Sequence, residues 1–325
     1  MYSVEQLKRI FLSYLKDNAF TEPPKELFAP VDYILQLGGK RLRPILVLMS
    51  YNLYKENIVP ALPIAHAIEI FHNFTLVHDD IMDEAPLRRG KPTVHEKYDI
   101  NTGILSGDVM LIYAYQYLLK IEKPKLIPFV LKEFSLVAEK VCIGQQYDMN
   151  FETRNEVSIS EYLKMIEYKT AVLLAGALKL GAALSGASDS DLSSLEEFGR
   201  NIGLAFQLQD DILDTFGDPE KFGKKVGGDI VQNKKTYLVL KTLEIADTED
   251  KEHLQELLKD SGMQHSEKIH KVVDLFQKYQ IKEKANKLKL EYQERAMENL
   301  KAVAVSAERK IRLKELANSL LNRTN

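Results

Sequence analysis

Apolar residues recur at i, i+3, i+4 and i+7 along nearly the whole chain, while the short alternating runs that mark strands are scarce, so the pattern predicts an all-α fold. Residues 3–17 open it, and a second helix over 24–36 has its start set by Pro23-Pro24. Gly38-Gly-Lys-Arg-Leu-Arg-Pro44 then reads as a glycine turn carrying three cations into a helix that ends near Tyr54. A central apolar helix should run from Pro60 to Asp83, with Pro86 helping to end it. A loop over 85–92 carries Arg88, Arg89 and Lys91, and helices follow over 101–120 and 124–149, the second bearing Gly144-Gln-Gln-Tyr-Asp148 towards its end. Ser158-Ile-Ser-Glu161 has the spacing of a capping box, and the helix it starts should pass through Tyr168-Lys-Thr170. Asp189 starts another helix, apolar from Leu195 to Leu213; a glycine- and lysine-rich loop over 217–229 follows it, and charged, striped outer helices occupy 234–323.

With 325 residues, 45% of them hydrophobic, the chain can bury a large core, and no linker, repeat or low-complexity tract marks a seam, so a single domain over 1–325 is expected. A net charge of -3 leaves no basic face for nucleic acid. The lone cysteine, Cys142, excludes an internal disulfide framework and suits a reducing compartment; its apolar neighbours predict that it is buried and inert. The N-terminus lacks a signal-peptide core, and the most apolar run, Ala171 to Leu184, is interrupted by Lys179 and falls short of the ~20 residues of a membrane span. A soluble cytoplasmic protein is the expectation.

The candidate chemistry lies in two acidic triplets. Asp79, Asp80 and Asp83 end the central helix, with Asp79 and Asp83 one turn apart on one face, and Asp210, Asp211 and Asp214 repeat the spacing at the end of another apolar helix. Three carboxylates at the negative end of a helix dipole repel one another and call for a cation. Mg²⁺ is the hard ion that uses few carboxylates, keeps waters and bridges to substrate phosphate oxygens. Lys40, Arg41, Arg43, Arg88, Arg89, Lys224, Lys225 and Lys234 carry more positive charge than one metal-bound diphosphate requires, so two diphosphates fit better. The metal-bound one is a leaving group and the other anchors a nucleophile, in a water-excluding pocket expected to include Phe71, Phe74, Ile81 and Leu213.

Six motifs in order, from Gly38 to about Tyr237, resemble the head-to-tail trans-isoprenyl diphosphate synthases: Gly-Gly-Lys-Arg-Leu-Arg-Pro, Asp-Asp-x-x-Asp with Arg-Arg-Gly behind it, Gly-Gln-Gln-x-x-Asp, Tyr-Lys-Thr, Phe-Gln-x-x-Asp-Asp-x-x-Asp, and Gly-Lys-x-x-Gly-x-Asp followed by Lys234. The resemblance implies an all-helical bundle around a central cavity, usually a homodimer, that condenses isopentenyl diphosphate with allylic diphosphates. It assigns Asp79, Asp80, Asp83, Asp210, Asp211 and Asp214 to Mg²⁺, with three ions in the reactive complex and Mn²⁺ as a substitute. Arg88, Lys169, Lys224 and Lys234 would hold the allylic diphosphate, with Lys225 as the alternative to Lys224; Lys40, Arg43, His72 and Arg89 would hold isopentenyl diphosphate. Thr170 and Gln207, with the Lys169 carbonyl, would face the developing allylic cation.

Chain length should be decided below Asp79. At 1.5 Å per residue Phe74 lies about 7–8 Å and Phe71 about 12 Å down the helix, the depth of a short prenyl tail. Phe74 is the expected floor. Thr75 stands where farnesyl-making members usually carry a second aromatic, and the first acidic motif has no inserted pair, a pattern resembling enzymes that stop at the C20 product, geranylgeranyl diphosphate, rather than C15. Taken singly, each motif has a plainer account: an acidic triplet can be a solvated helix end, and Phe71 and Phe74 core filler. Glu69-x-x-His72 and Glu267-x-x-His270 also match the spacing of di-iron bundles, but leave the cationic loops without a purpose. A non-catalytic partner subunit would be expected to have lost acidic residues, and a terpene cyclase has no need of anchors for a second diphosphate.

Overall fold

The computed structural model describes residues 1–217, 226–260 and 262–321. The helices are α1 (Val4–Asp17), α2 (Lys25–Gln36), α3 (Leu42–Asn52), α4 (Leu62–Met82), a short α5 (Val94–Lys97), α6 (Ile100–Leu118), α7 (Ile127–Thr153), α8 (Ile159–Ile166), α9 (Val172–Ser185), α10 (Asp189–Phe216) and a short α11 (Gly228–Val231). Five more follow: α12 (Tyr237–Ile245), α13 (Thr248–Lys259), α14 (His265–Lys278), α15 (Ile281–Ala302) and α16 (Ala307–Leu321). The all-α expectation holds, and no helix among the described residues is long and apolar enough to cross a membrane.

Local chemistry sets many of the boundaries. Ser3 and Ser158 close capping boxes with Gln6 and Glu161, so orphan N–H groups at both helix starts are satisfied reciprocally. Asp99 caps α6 by accepting from the Thr102 N–H at 2.8 Å. Pro60 and Pro124 sit in single 3₁₀ turns, Val59–Ala61 and Pro124–Leu126, that precede α4 and α7. The predicted 85–92 loop contains a two-stranded hairpin pairing Leu87 with Pro92 and Arg88 with Lys91. Arg89 and Gly90, at φ 56° and 74°, make the left-handed turn that such a hairpin requires. Cys142 is exposed, against expectation, because its α7 position faces outward despite apolar sequence neighbours.

The chain divides into two compact units. The first comprises Met1–Leu136, Gly176–Leu195 and Ala304–Arg312; the second comprises Val137–Ala175, Glu196–Val303 and the chain from Leu313 onward. Four of the five boundaries, at 136/137, 175/176, 195/196 and 312/313, fall inside the continuous helices α7, α9, α10 and α16. In the first unit α4 is apolar around most of its circumference and packs against α1, α2, α3 and α6. Gly181 of α9 meets α3 so closely that a β-carbon there would stand 2.2 Å from the Val47 carbonyl oxygen. The second unit has its own core, built on Phe151, Tyr162, Ile166, Leu208, Leu238 and Phe276 among others.

Candidate active site

The first acidic triplet splits by direction. Asp80 is fully buried, and Arg88 supplies the offsetting cation: Nε lies 2.8 Å from both carboxylate oxygens and Nη2 2.5 Å from Oδ1. The hairpin thus brings Arg88 back over the helix end, and a two-pronged guanidinium–carboxylate bond fixes it there. Asp79 is half-buried and Asp83 exposed; they stand one turn apart, and the Asp83 N–H donates to the Asp79 carbonyl at 2.8 Å.

Beside it lies a cluster of guanidinium groups. Arg41, at φ 53° before α3, is buried with Glu69 in an ion pair and also donates to the Leu35 carbonyl, so it braces the glycine turn from inside. Arg43 Nη1 is 3.0 Å from His72 Nε2. The His72 ring is held neutral: burial pushes its pKa well below the usual value, and the charges of Arg43, Arg89, Arg88 and Arg41 push it further. Nε2 is therefore free of a proton and accepts from Arg43. Burial first, and then the nearby Arg89, lower the Arg43 pKa to about 10, with Glu69 opposing, so it stays charged at neutral pH. Arg89 donates to the Gly38 carbonyl, and a β-carbon on Gly39 would stand 2.9 Å from its guanidinium carbon. Gly39, at φ 119°, thus leaves room for Arg89 to lie over the turn. Such a crowd of partly desolvated cations favours an anion.

In the second unit the other triplet splits in the same way. Asp211 is buried; Tyr162 donates its hydroxyl to Oδ2, and Gln207 Nε2 is 3.3 Å from Oδ1. Burial raises the Asp211 pKa to about 7; the Asp229 charge adds to this, while the bonds from Tyr162 and Gln207 pull it down. Asp210 and Asp214 are half-buried. Asp214 receives the Asp229 N–H on Oδ2 at 2.9 Å, and its carbonyl receives the Gly227 N–H at 2.6 Å. Lys234 Nζ lies 3.5 Å from Asp229 Oδ1. Lys224 and Lys225 lie outside the described residues.

The Tyr-Lys-Thr segment is a π-helical turn, Glu167–Ala171, between α8 and α9, where continuous α-helix was expected. Two glycines make room for it. A β-carbon on Gly144 would stand 2.3 Å from the Lys169 nitrogen, and one on Gly203 would stand 2.5 Å from Ala171 Cα. Asp148, one turn beyond Gly144 on the same face of α7, bonds Lys169 Nζ at 2.5 Å. The Gly-Gln-Gln-x-x-Asp motif thereby acquires a purpose absent from its sequence reading: its first and last residues hold the backbone and the ammonium of one lysine. Thr170 Oγ1 is 3.4 Å from Gln207 Oε1, so the two expected to face a cation are neighbours. Gly203 lies outside every motif and left no signal in the sequence.

Among the described residues no three His, Cys, Asp or Glu side chains converge as a ready-made metal cage. The carboxylate pairs Asp79/Asp83 and Asp210/Asp214 still fit a hard ion of the Mg²⁺ type, which needs only one or two carboxylates and completes its shell with water and phosphate oxygen. Asp80 bonds Arg88 and Asp211 bonds Tyr162. Glu69 and His72, the alternative iron ligands, are likewise held by Arg41 and Arg43. Below the first triplet Phe74 is buried, its ring 4.8 Å from His78 and 5.6 Å from Phe71, and Phe71 packs edge-on to Phe134. Thr75 Oγ1 donates back to the His72 carbonyl at 2.8 Å.

Known proteins resemble this chain along most of its length. The sequence model of the polyprenyl synthetase family matches residues 24–276. A short chain isoprenyl diphosphate synthase of Methanothermobacter thermautotrophicus is 37% identical over 300 residues, covering 92% of this chain and 91% of that protein. A geranylgeranyl diphosphate synthase of Sulfolobus acidocaldarius is 36% identical over 304 residues, covering 93% and 90%. The crystal structure of a geranylgeranyl pyrophosphate synthase superposes with a TM-score of 0.94 at 44% identity over 100% of both chains, and that of the synthetase from Pyrococcus horikoshii with 0.92 at 32% identity over 98% and 97%. With motifs, helices and neighbours in agreement, the chain belongs to the polyprenyl synthetase family and is a prenyl-transferring enzyme of all-α fold.

Proposed function

We propose that this polyprenyl synthetase condenses isopentenyl diphosphate with allylic diphosphates of five to fifteen carbons and releases geranylgeranyl diphosphate. The observation that carries the two-diphosphate reading is the cluster around His72, where Arg43 and Arg89 bond a neutral ring and a carbonyl rather than carboxylates. Those guanidinium groups, with Lys40, hold isopentenyl diphosphate without metal. Similarity to a geranylgeranyl pyrophosphate synthase at a TM-score of 0.94 supports the C20 product, as does Thr75 in place of a second aromatic.

Asp79 with Asp83, and Asp210 with Asp214, would hold Mg²⁺, which would supply charge neutralisation that lets diphosphate leave. Arg88, Lys169, Lys234 and either Lys224 or Lys225 hold the allylic diphosphate in place by their own charges. The allylic C–O bond breaks with its electron pair leaving on diphosphate, the isopentenyl double bond attacks the resulting carbon, and a proton departs to the diphosphate. Thr170 Oγ and the Gln207 and Lys169 carbonyl oxygens present lone pairs to the positive charge. Buried Phe74 stops the growing tail. The single-domain reading over 1–325 is supported by the four unit boundaries that fall within continuous helices. Homodimer formation is supported by exposed Ile100, Ile104, Ile112 and Leu119 along α6 and its C-cap, and a cytoplasmic location by the single cysteine.

The test is incubation of the pure protein with Mg²⁺, labelled isopentenyl diphosphate and each of the C5, C10 and C15 allylic partners, reading product length by chromatography. Elongation ending at C20 is expected; no elongation of any partner overturns the reading.

A further inference from the structure

Lys268 on α14 is 3% exposed, an unusual place for an ammonium group. Its Nζ donates to Asn233 Oδ1 at 2.7 Å, to the Leu258 carbonyl at 3.2 Å and to the Asp260 carbonyl at 3.3 Å, so all three of its protons are used. Two of these acceptors are carbonyls at the C-terminal end of α13, where a cation complements the helix dipole. Burial lowers the Lys268 pKa below the usual lysine value, with the Asp260 charge opposing. Helix capping alone does not require burial, since a solvated lysine caps as well. The third bond is the informative one.

Asn233 is in the left-handed region at φ 56°, immediately before Lys234. The segment from Gly227 to Lys234 is tied to the second acidic triplet through Asp214, as described above, and the Lys234 N–H donates to the Asp229 carbonyl at 2.9 Å. Ile269, next to Lys268, covers the other end: a β-carbon on Gly227 would stand 2.6 Å from its Cδ1. Two consecutive residues of α14 thus grip both ends of the short segment that carries Asp229 and Lys234.

We propose that Lys268 is a positioning residue for allylic diphosphate binding, acting through Asn233 to set the left-handed turn that aims Lys234. This rests on the assignment of Lys234 to the allylic diphosphate. The test is a double-mutant cycle with Lys268→Met, which keeps length and apolar volume, and Asn233→Gly, which removes the acceptor and leaves the left-handed conformation sterically open but no longer held. Each single variant should raise KM for the allylic diphosphate about tenfold, the scale of one lost charge-assisted hydrogen bond, while KM for isopentenyl diphosphate and kcat change less than about twofold. The double variant should be no worse than Lys268→Met, because the two residues act as one unit. A purely structural lysine would lower thermal stability without separating the two KM values. Unchanged allylic KM in Asn233→Gly, equal rises in both KM values, or additive effects in the double variant overturn the proposal while leaving prenyl transfer intact. If Lys268→Met does not fold, Asn233→Gly decides alone. A wild type that elongates nothing removes the parent reading and this one with it.

Discussion

Gly144→Ala is the sharpest perturbation of the reaction centre that avoids every charged residue. Its new β-carbon would lie 2.3 Å from the Lys169 nitrogen and 2.7 Å from the Tyr168 carbonyl carbon. The first approach is more than 1 Å, and the second roughly 0.8 Å, inside the ~3.5 Å at which non-bonded atoms attract. Both conflicting atoms are backbone, so no rotamer change relieves them, and the π-turn must move away from α7 by roughly 1 Å. Overpacking of this kind costs about 1–3 kcal/mol of stability. With Lys169 and Thr170 in their proposed roles the larger effect should be catalytic, because a displacement near 1 Å of groups facing a reacting carbon costs roughly 10²-fold in rate. Steady-state kinetics with an allylic diphosphate and isopentenyl diphosphate should show kcat down about a hundredfold and both KM values within about threefold. Gly181→Ala provides the control: its β-carbon comes equally close, 2.2 Å, to Val47 and Ser50, and touches none of the turn's residues. It should lose stability of the same order while its folded fraction keeps a wild-type kcat. A Gly144→Ala enzyme that loses stability but retains kcat within about twofold would refute the link between this close approach and the chemistry.

Phe74→Ala should lengthen the product beyond C20, read by chromatography of the dephosphorylated alcohols; unchanged length removes Phe74 as the floor. Asp211→Asn should lower kcat without shifting the Mg²⁺ concentration for half-maximal rate, because Tyr162 and Gln207 engage that carboxylate, whereas Asp210→Asn should raise it; equal shifts would return Asp211 to the metal ligands. His66 is fully buried, with neither ring nitrogen hydrogen-bonded and Tyr14, Phe11 and Tyr117 around it. Burial, and then the Lys120 charge, lower its pKa to about 3, so as pH falls below 6.5 the unfolded chain takes up a proton that the folded chain refuses, and stability is lost down to about pH 3. Between pH 7 and 5 this one group accounts for roughly 2 kcal/mol. Urea denaturation of His66→Phe at the two pH values should show a loss smaller by about that amount, and identical losses in variant and wild type would show that the ring protonates in place.

Much of this protein is legible in its sequence because the deciding interactions are local. The 3.6-residue period marks the helices, Ser3 and Ser158 cap their own first turns, and the six motifs give the family in order. The two acidic triplets, too, are visible as helix ends. What the chain alone leaves open is direction. Neighbouring residues on a helix point about 100° apart, so one of Asp79 and Asp80, and one of Asp210 and Asp211, must turn inward; which one depends on Arg88 and Tyr162 arriving from other elements. The same holds for Arg41, one of the cations counted towards diphosphate, which is a buried partner of Glu69, and for Cys142, whose apolar neighbours did not keep it from the surface. Gly144 and Gly203 show the limit most plainly. A glycine is required where two backbones meet, and that meeting is a property of packed helices, not of either segment alone.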